Sequence, residues 1–495
     1  MTPTDRNPDA GSFGAVLGRS TILYGAGHIA ARSTYLILVP VLTRALSPQQ
    51  LGAVDLLTAA NAVALSVVSL EINQGLARYV SAERDPARRR LQASTAVWYG
   101  LGAFGLMVLL AFLFADPLAQ LILGRPGQAA LVTTAALAAG ANGMFLIIHG
   151  QLRWQLRAGA YASAAVVVAV TTLVATVVLV AVAEAGVQGV FLGQLLGSIV
   201  AAVLVLWLIR ESIGITFAFD ELRRIVGFSA PLVPAATAAF VAVHADRFAI
   251  SRFLGNADVG LYGVGYRIAS IVGLAISGFQ LALTPLIYSR YEQASTPSGL
   301  ARAYLVFVAG AVILWLSVSL FAPEIIEILA TPEFARGSVV VPYLAGALII
   351  NGMATFAPGL AIAGRTHVLA AISFLTLVVV LLLNVALVPV LGIQGAAMSG
   401  VAASCVGLTI TISLSQRHYP LPYAWPRVAV LVGVAVGALL VSSSAVVVGP
   451  LGVFFRLALV GGVAGLAAAL GMLPRPDQLL RSVGISKQSF PNGDA

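Results

Sequence analysis

Apolar runs of about 20 residues recur along nearly the whole chain, each punctuated by Arg, Pro or Gly, and each is long enough to cross a hydrocarbon core of about 30 Å as helix. With 59% of 495 residues hydrophobic and 9% charged, too little polar surface remains to cover a soluble globule. The chain therefore reads as an all-α polytopic membrane protein. Spans fall near 21–43, 52–77, 92–114, 129–149, 160–182 and 187–209, then near 226–250, 260–287, 301–321, 338–362, 368–390 and 393–415, with two more near 427–448 and 452–472. That makes about fourteen transmembrane helices.

The two sets of six repeat one another. "TRALSPQQLG" (43–52) lies over "SRFLGNADVG" (251–260) at an offset of 208, matching Arg44 with Arg252 and Gly52 with Gly260. "NGM" recurs at an offset of 209, and "GVQG" returns as "GIQG" at an offset of 206. Beyond that match Gly189, Gly193, Gly197 and Ala201 keep a small residue every fourth position, and Gly395, Ser399, Ala403 and Gly407 repeat the ridge, so each half presents a close-packing helix face. An even number of spans per repeat gives both halves one topology, with a pseudo-two-fold axis along the membrane normal and a central cavity between two six-helix lobes.

These readings set the expected boundaries. A polar tail covers 1–19, an N-lobe 20–209, an interfacial linker 210–224, a C-lobe 225–416, two added helices 417–474 and a second tail 475–495. The linker "RESIGITFAFDELRR" mixes charges with Phe217, Phe219 and Leu222, as an interfacial segment should. Alternate connections hold most of the arginines, among them Arg78, Arg88, Arg153, Arg210, Arg224 and Arg365, whereas the opposite ones hold only Arg44, Arg125, Arg252, Arg336 and Arg456. The positive-inside rule then expects a multi-pass protein of the plasma (inner) membrane with both termini cytoplasmic.

Ionisable residues at membrane depth are the candidates for function. Tyr24, His28, Arg32 and Tyr35 form one stripe on the first span. A central Arg costs roughly 2.5 to 3.5 kcal/mol even on a lenient scale, so Arg32 should face protein or a wet cavity. The seventh span carries His244, Asp246 and Arg247, and the eighth carries Arg267. The repeat alignment sets spans one and two opposite seven and eight, where these cations can converge on one lumen. Arg32, Arg247, Arg267, His28 and His244 are thus candidate ligand groups, and Asp246 and Asp55 candidate ion-coupling acids. Alternatives stay open: Asp246 could instead neutralise Arg247 or Arg267, Glu71 with Arg78 reads as an ion pair or a gate, and Asn61 and Gln280 serve equally as interhelical glue. His149 and Arg153 sit at a span end suited to a phosphate or headgroup contact. Pro40, Pro231, Pro234, Pro285, Pro342, Pro358 and Pro389 each favour a bend.

Several classes are excluded. Basic residues are scattered, not gathered on a face, which argues against nucleic acid despite a net charge of +9. The sole lysine, Lys487, lies in the tail, so no phosphate-binding GxxxxGK[ST] loop exists, and five scattered histidines make no HExxH helix. One cysteine, Cys405, permits no intramolecular disulfide. Neither a catalytic nor a metal site is expected, and no cofactor.

"LVPVLTRALSPQQLGAVDLL", "GFSAPLVPAA", "DRFAISRFLGNADVGLYGVGYRIA" and "LAGALIINGMATFAPGLAIAGRT" together resemble the polysaccharide-biosynthesis flippases, in the superfamily that also holds multidrug and toxin extrusion transporters and lipid II flippases. The resemblance covers about residues 18–475. It implies two six-helix lobes in a V with two added helices, and a polyprenyl-diphosphate-linked glycan moved from the cytoplasmic to the outer leaflet. Membrane lipids, a proton or sodium ion, and a glycan polymerase or ligase are the partners such a role implies. Arginine forks suit a diphosphate, whereas a cationic drug would want carboxylates. A multidrug antiporter of the same fold, or a non-transporting scaffold of a glycan-assembly complex, are the alternatives.

Overall fold

The computed structural model describes residues 34, 36–293, 296–444 and 449–473. Among them thirteen helices are long and apolar enough to cross a membrane, and they coincide with the thirteen predicted spans after the first. The first span, 21–43, lies mostly outside the described residues; its last turns enter α1 (Val39–Ala45).

The first repeat continues with α2 (Pro48–Val68), α3 (Ile72–Ala82), α4 (Pro86–Leu113), α5 (Ala115–Leu123), α6 (Ala129–Trp154), α7 (Ala158–Val177) and α8 (Gly186–Leu208). Its register is set at Ser47, whose side chain accepts from the Gln50 amide at 3.3 Å while Gln50 Oε1 accepts from the Ser47 amide at 2.9 Å. This reciprocal cap, with Pro48 in the first turn, fixes where α2 begins. The predicted span 52–77 is not one helix. Leu70 and Glu71 take left-handed backbone angles, φ 46° and 50°, which an α-helix cannot contain, so α3 starts afresh at Ile72.

The second repeat holds α10 (Val233–Phe253), α11 (Asn256–Arg290), α12 (Thr296–Leu320), α13 (Ala322–Leu329), α14 (Val341–Met353), α15 (Gly359–Ile362), α16 (Thr366–Leu391) and α17 (Ile393–Ser415), followed by α18 (Trp425–Ser444) and α19 (Pro450–Ala469). Prolines mark bends unevenly: Pro231 lies in the tight turn 230–232, Pro358 follows another at 354–356, but Pro389 sits inside α16 without ending it.

The small-residue ridges do pack closely. A Cβ on Gly193 would lie 2.2 Å from Thr176 Oγ1, and one on Gly197 2.0 Å from Thr172 Oγ1, locking α8 onto α7. In the second repeat a Cβ on Gly395 would lie 2.3 Å from the Leu387 carbonyl oxygen of α16. The same helix pair is built the same way twice.

Between the repeats α9 (Phe219–Ser229) docks on the first. Ile225 is buried against Gly75 of α3, where a Cβ would meet the Ile225 carbonyl oxygen at 2.7 Å. Glu221 accepts from Arg88 Nε at 2.8 Å and from Gln92 Nε2 at 3.0 Å. Glu221→Gln removes the charge from both bonds and should loosen α9; tryptic cleavage after Arg223 and Arg224 is expected to quicken by about tenfold. An unchanged digestion rate would show that these bonds do not hold the helix.

Candidate functional site

Helices α2 and α11 cross at Gly52 and Gly260. A Cβ on Gly52 would sit 1.8 Å from the Asn256 carbonyl oxygen, and one on Gly260 2.0 Å from that of Pro48. Each would also lie 3.1 Å from the other glycine's amide nitrogen. Pro48 and Asn256 differ by the same 208 as Gly52 and Gly260, so the contact is reciprocal and a local two-fold axis passes between the glycines. The two helices run parallel, which puts that axis along their common direction. Only residues without side chains permit backbones this close.

One turn further in, symmetry is broken for chemistry. Asp55 accepts from Arg267 through both oxygens, Nη2 to Oδ1 at 2.6 Å and Nη1 to Oδ2 at 3.1 Å. The repeat counterpart of Asp55 is Gly263, and a Cβ there would lie 1.6 Å from Asp55 Oδ2. The second repeat thus gives up a side chain where the first places its carboxylate. At 1.5 Å per residue the pair lies roughly 10 Å along α2 from its start, a depth where an unpaired charge is costly. Gly263→Ala is expected to expel Asp55 from the fork and destabilise the protein by about 3 kcal/mol; thermal unfolding in detergent would register it, and an unshifted midpoint would contradict the packing.

A second pair lies on α10. Asp246 Oδ1 accepts from the Arg247 amide at 2.8 Å and from Arg247 Nη1 at 3.0 Å, while Tyr262 donates to Oδ2. The Arg247 guanidinium stacks over the Tyr266 ring at 4.7 Å. Both residues are buried, 9% and 7% exposed. Adjacent helical residues do not face each other, so the pair forms only because the long arginine chain folds back. On α11 Tyr262 and Tyr266, the partners of this pair, directly precede Gly263 and Arg267, the partners of Asp55, so the two pairs share one stretch of helix and form one charge cluster. His244 is half-buried, with Nδ1 2.9 Å from the Phe240 carbonyl oxygen. It shares a helix face with Thr237, whose hydroxyl meets Ser66 of α2 at 3.3 Å.

Of the predicted site residues, Asp55, Arg267, Asp246, Arg247 and His244 come together. His28 and Arg32 lie outside the described residues. Glu71 and Arg78 form no ion pair: the left-handed break at 70–71 separates their faces, and Arg78 stacks on Phe228 at 4.4 Å. Asn61 donates to the Ala135 carbonyl and Gln280 to Thr355, both as interhelical glue. His149 does not face the surface. It is buried between Phe145 and Tyr161, centroids 4.8 and 3.9 Å away, with Nε2 2.9 Å from the Tyr161 carbonyl oxygen. Sequence reading missed Tyr262, Tyr266 and Gly263. The first two lie four residues apart on α11, in the motif that carried the resemblance, and Gly263 was findable by continuing the 208 offset from Asp55.

Among the described residues no three His, Cys, Asp or Glu side chains gather as a metal site would need. A cleft of about 450 Å³ opens elsewhere, between α12 and the start of α18, lined by Arg302 and Arg427 among others. In the charge cluster two carboxylates and two guanidiniums are held neutral in a closed contact. Separating α2 from α11 would release a planar fork of N–H donors on Arg267.

A family model described as polysaccharide biosynthesis protein matches residues 41–295. Among solved structures, a lipid II flippase, MurJ, in an inward closed conformation superposes with a TM-score of 0.72 at 12% identity, covering 93% of this chain and 99% of that one. An inward-facing multidrug resistance MATE family transporter of the MOP superfamily gives 0.62 at 17% identity, over 78% and 94%. A MOP superfamily transporter from Pyrococcus furiosus, described by the reverse polarity of its binding pocket, gives 0.58 at 17% identity, over 81% and 95%. At these identities the likeness establishes the fold. No curated protein matches the chain.

Proposed function

The chain belongs to the polysaccharide biosynthesis protein family, and from that membership we propose that it is a flippase carrying a polyprenyl-diphosphate-linked oligosaccharide from the cytoplasmic to the outer leaflet of the inner membrane. The observation that carries this reading is the bidentate Asp55–Arg267 pair at the crossing of the two repeats. Asp55 and Asp246, the acids of the charge cluster, are each bound to an arginine, so the cluster offers a cationic substrate no free carboxylate. An anion can instead compete for the guanidinium fork, since diphosphate oxygens match it as well as a carboxylate does.

In this reading the arginine-rich connections are cytoplasmic, both termini lie on that side, and the Gly52–Gly260 crossing is the outer gate. The N-lobe, linker, C-lobe and two added helices act as the units 20–209, 210–224, 225–416 and 417–474. Opening outward parts α2 from α11, and Arg267 with Arg247 passes from its carboxylate to the cargo diphosphate. His244 lines the same path, while the prenyl tail stays in lipid. Asp55 and Asp246, once released, are the groups to exchange a proton or sodium ion. A glycan polymerase or ligase on the outer side would draw the product away.

Cells lacking the protein are expected to accumulate a polyprenyl-diphosphate glycan on the cytoplasmic leaflet, detectable by extraction after enzymatic labelling of intact against opened vesicles. Lipid-linked glycan distributed as in the parent strain would remove the proposal. Overproduction should confer no resistance to cationic drugs; resistance would favour an antiporter.

A further inference from the structure

We infer that Arg78 and Arg224 form a capture site for the diphosphate of a lipid at the arginine-rich mouth of the inter-repeat seam, a site that the transport reading above does not use but on which this assignment rests for its cargo. Arg78 lies on α3 with its Cζ 4.4 Å from the Phe228 centroid and 5.9 Å from that of Tyr79. Arg224 lies on α9 with its Cζ 4.7 Å from the same Tyr79 centroid. Tyr79 and Phe228 themselves meet edge to face, 6.2 Å apart at 82°. Two guanidiniums from two helices are thus fixed around one aromatic pair.

Stacking fixes what they can bind. Each guanidinium lies over an aromatic ring, and both side chains are exposed. Neither is in an ion pair among the described residues; of the acids near Arg224, Glu221 is held by Arg88 and Gln92, and Asp220, one turn earlier on α9, makes no ion pair with it. Other arginines at this end behave differently: Arg153 and Arg210 each stack singly on a tryptophan of their own or the adjoining turn, at 4.3 and 5.1 Å. Two unpaired forks around one aromatic pair can take a two-phosphate group, one fork per phosphate.

Position connects the site to transport. α3 prolongs α2 beyond the break at 70–71, and α9 leads through the turn 230–232 into α10. α2 and α10 are the helices that meet across the repeats at Ser66 and Thr237. The forks therefore stand where that seam reaches the membrane surface, with Tyr79 and Phe228 at headgroup level. A diphosphate caught there is presented to the seam before any gate moves.

The test uses the full-length protein in phosphatidylcholine nanodiscs, with farnesyl diphosphate, inorganic diphosphate and phosphatidylglycerol as separate probes. Replacing Arg78 and Arg224 together by Gln should weaken farnesyl diphosphate binding by about tenfold or more. The corresponding double Lys variant, which keeps charge but loses the fork, should recover only part of it. Phe228→Leu, with both charges intact, should also weaken binding. Unchanged affinity in the double Gln variant overturns the site. Arginine-dependent binding of phosphatidylglycerol but not farnesyl diphosphate overturns its assignment to a diphosphate. Inorganic diphosphate bound as tightly as the farnesyl ester overturns its assignment to a lipid. Export separates this inference from the one it rests on: a wild-type protein that captures the probe through these arginines yet moves no glycan defeats the flippase reading alone, whereas normal capture by the double Gln variant beside intact glycan export defeats the capture site alone.

Discussion

Arg267→Gln is expected to reduce glycan export about 100-fold per folded protein, and pairing it with Asp55→Asn is expected to restore protein abundance without restoring export. The arithmetic comes from two charge-assisted hydrogen bonds at about 1.5 kcal/mol each, lost from a fork that must grip the cargo. The double variant separates the two roles the pair could have. A purely structural salt bridge is replaceable by a neutral pair, so abundance and transport would return together. A cargo-binding arginine is not replaceable, and only abundance returns. Asp55→Asn alone keeps an acceptor for Arg267 and should retain protein abundance, with export lowered to the extent that ion exchange at Asp55 drives it. Quantitative immunoblotting beside surface-glycan measurement reads both quantities in the same cells, and export recovered in the double variant would reduce Asp55–Arg267 to a brace.

The second large effect is steric. Gly260→Val would force a branched side chain into the Pro48 carbonyl, 2.0 Å from its Cβ, and neither backbone has a flexible end that can yield. Overpacking usually costs 1 to 3 kcal/mol, and a clash between two backbones should cost about 3 kcal/mol or more. Gly52→Val meets the Asn256 carbonyl in the same way, so the two variants should be matched in severity, a consequence of the local two-fold axis. Gly102→Ala on α4, with nothing within 4 Å, is the control and should shift the melting temperature by no more than about 2 °C. Unequal effects at Gly52 and Gly260 would deny the symmetry of the crossing.

How much of this was readable beforehand depends on what each feature needs. Apolar length reports the solvent, so thirteen spans could be placed, with ends off by up to nine residues where, as at 52–77, a break interrupts the helix. Repeat offsets report geometry only when two copies meet on their own axis, and Gly52 with Gly260 do so; the offset of 208 aligned the two residues without saying that they touch. Pairing of charges was less legible. Arg267 could have joined Asp246 or Asp55, and the choice fell to Asp55 because Gly263 leaves it room, a fact of three-dimensional register. The Asp246–Arg247 pair depends on a side chain folding back along its own helix, which spacing argues against. The break at 70–71 carries no Gly or Pro to announce it, and it alone removed the expected Glu71–Arg78 contact. His149 was misplaced for a similar reason: its position at a span end suggested the surface, while the aromatic slot made by Phe145 and Tyr161 needs a helix neighbour that sequence does not name.

Neutral, buried charge pairs are compatible with transport because a closed conformation must hide its binding groups. The same arginines that are costly alone at membrane depth are inexpensive when clamped by carboxylates, and become available when the repeats part. The proposed function therefore turns on the sign of the charge carried: its cargo is an anion that replaces Asp55 and Asp246. The most direct measurement is translocation in proteoliposomes containing only this protein, with a fluorescent polyprenyl-diphosphate oligosaccharide in one set and a fluorescent cationic drug in another. The account predicts that the diphosphate lipid crosses the bilayer, more slowly when inorganic diphosphate competes, and that the drug stays where it was placed. Movement of the drug with no movement of the lipid would contradict it.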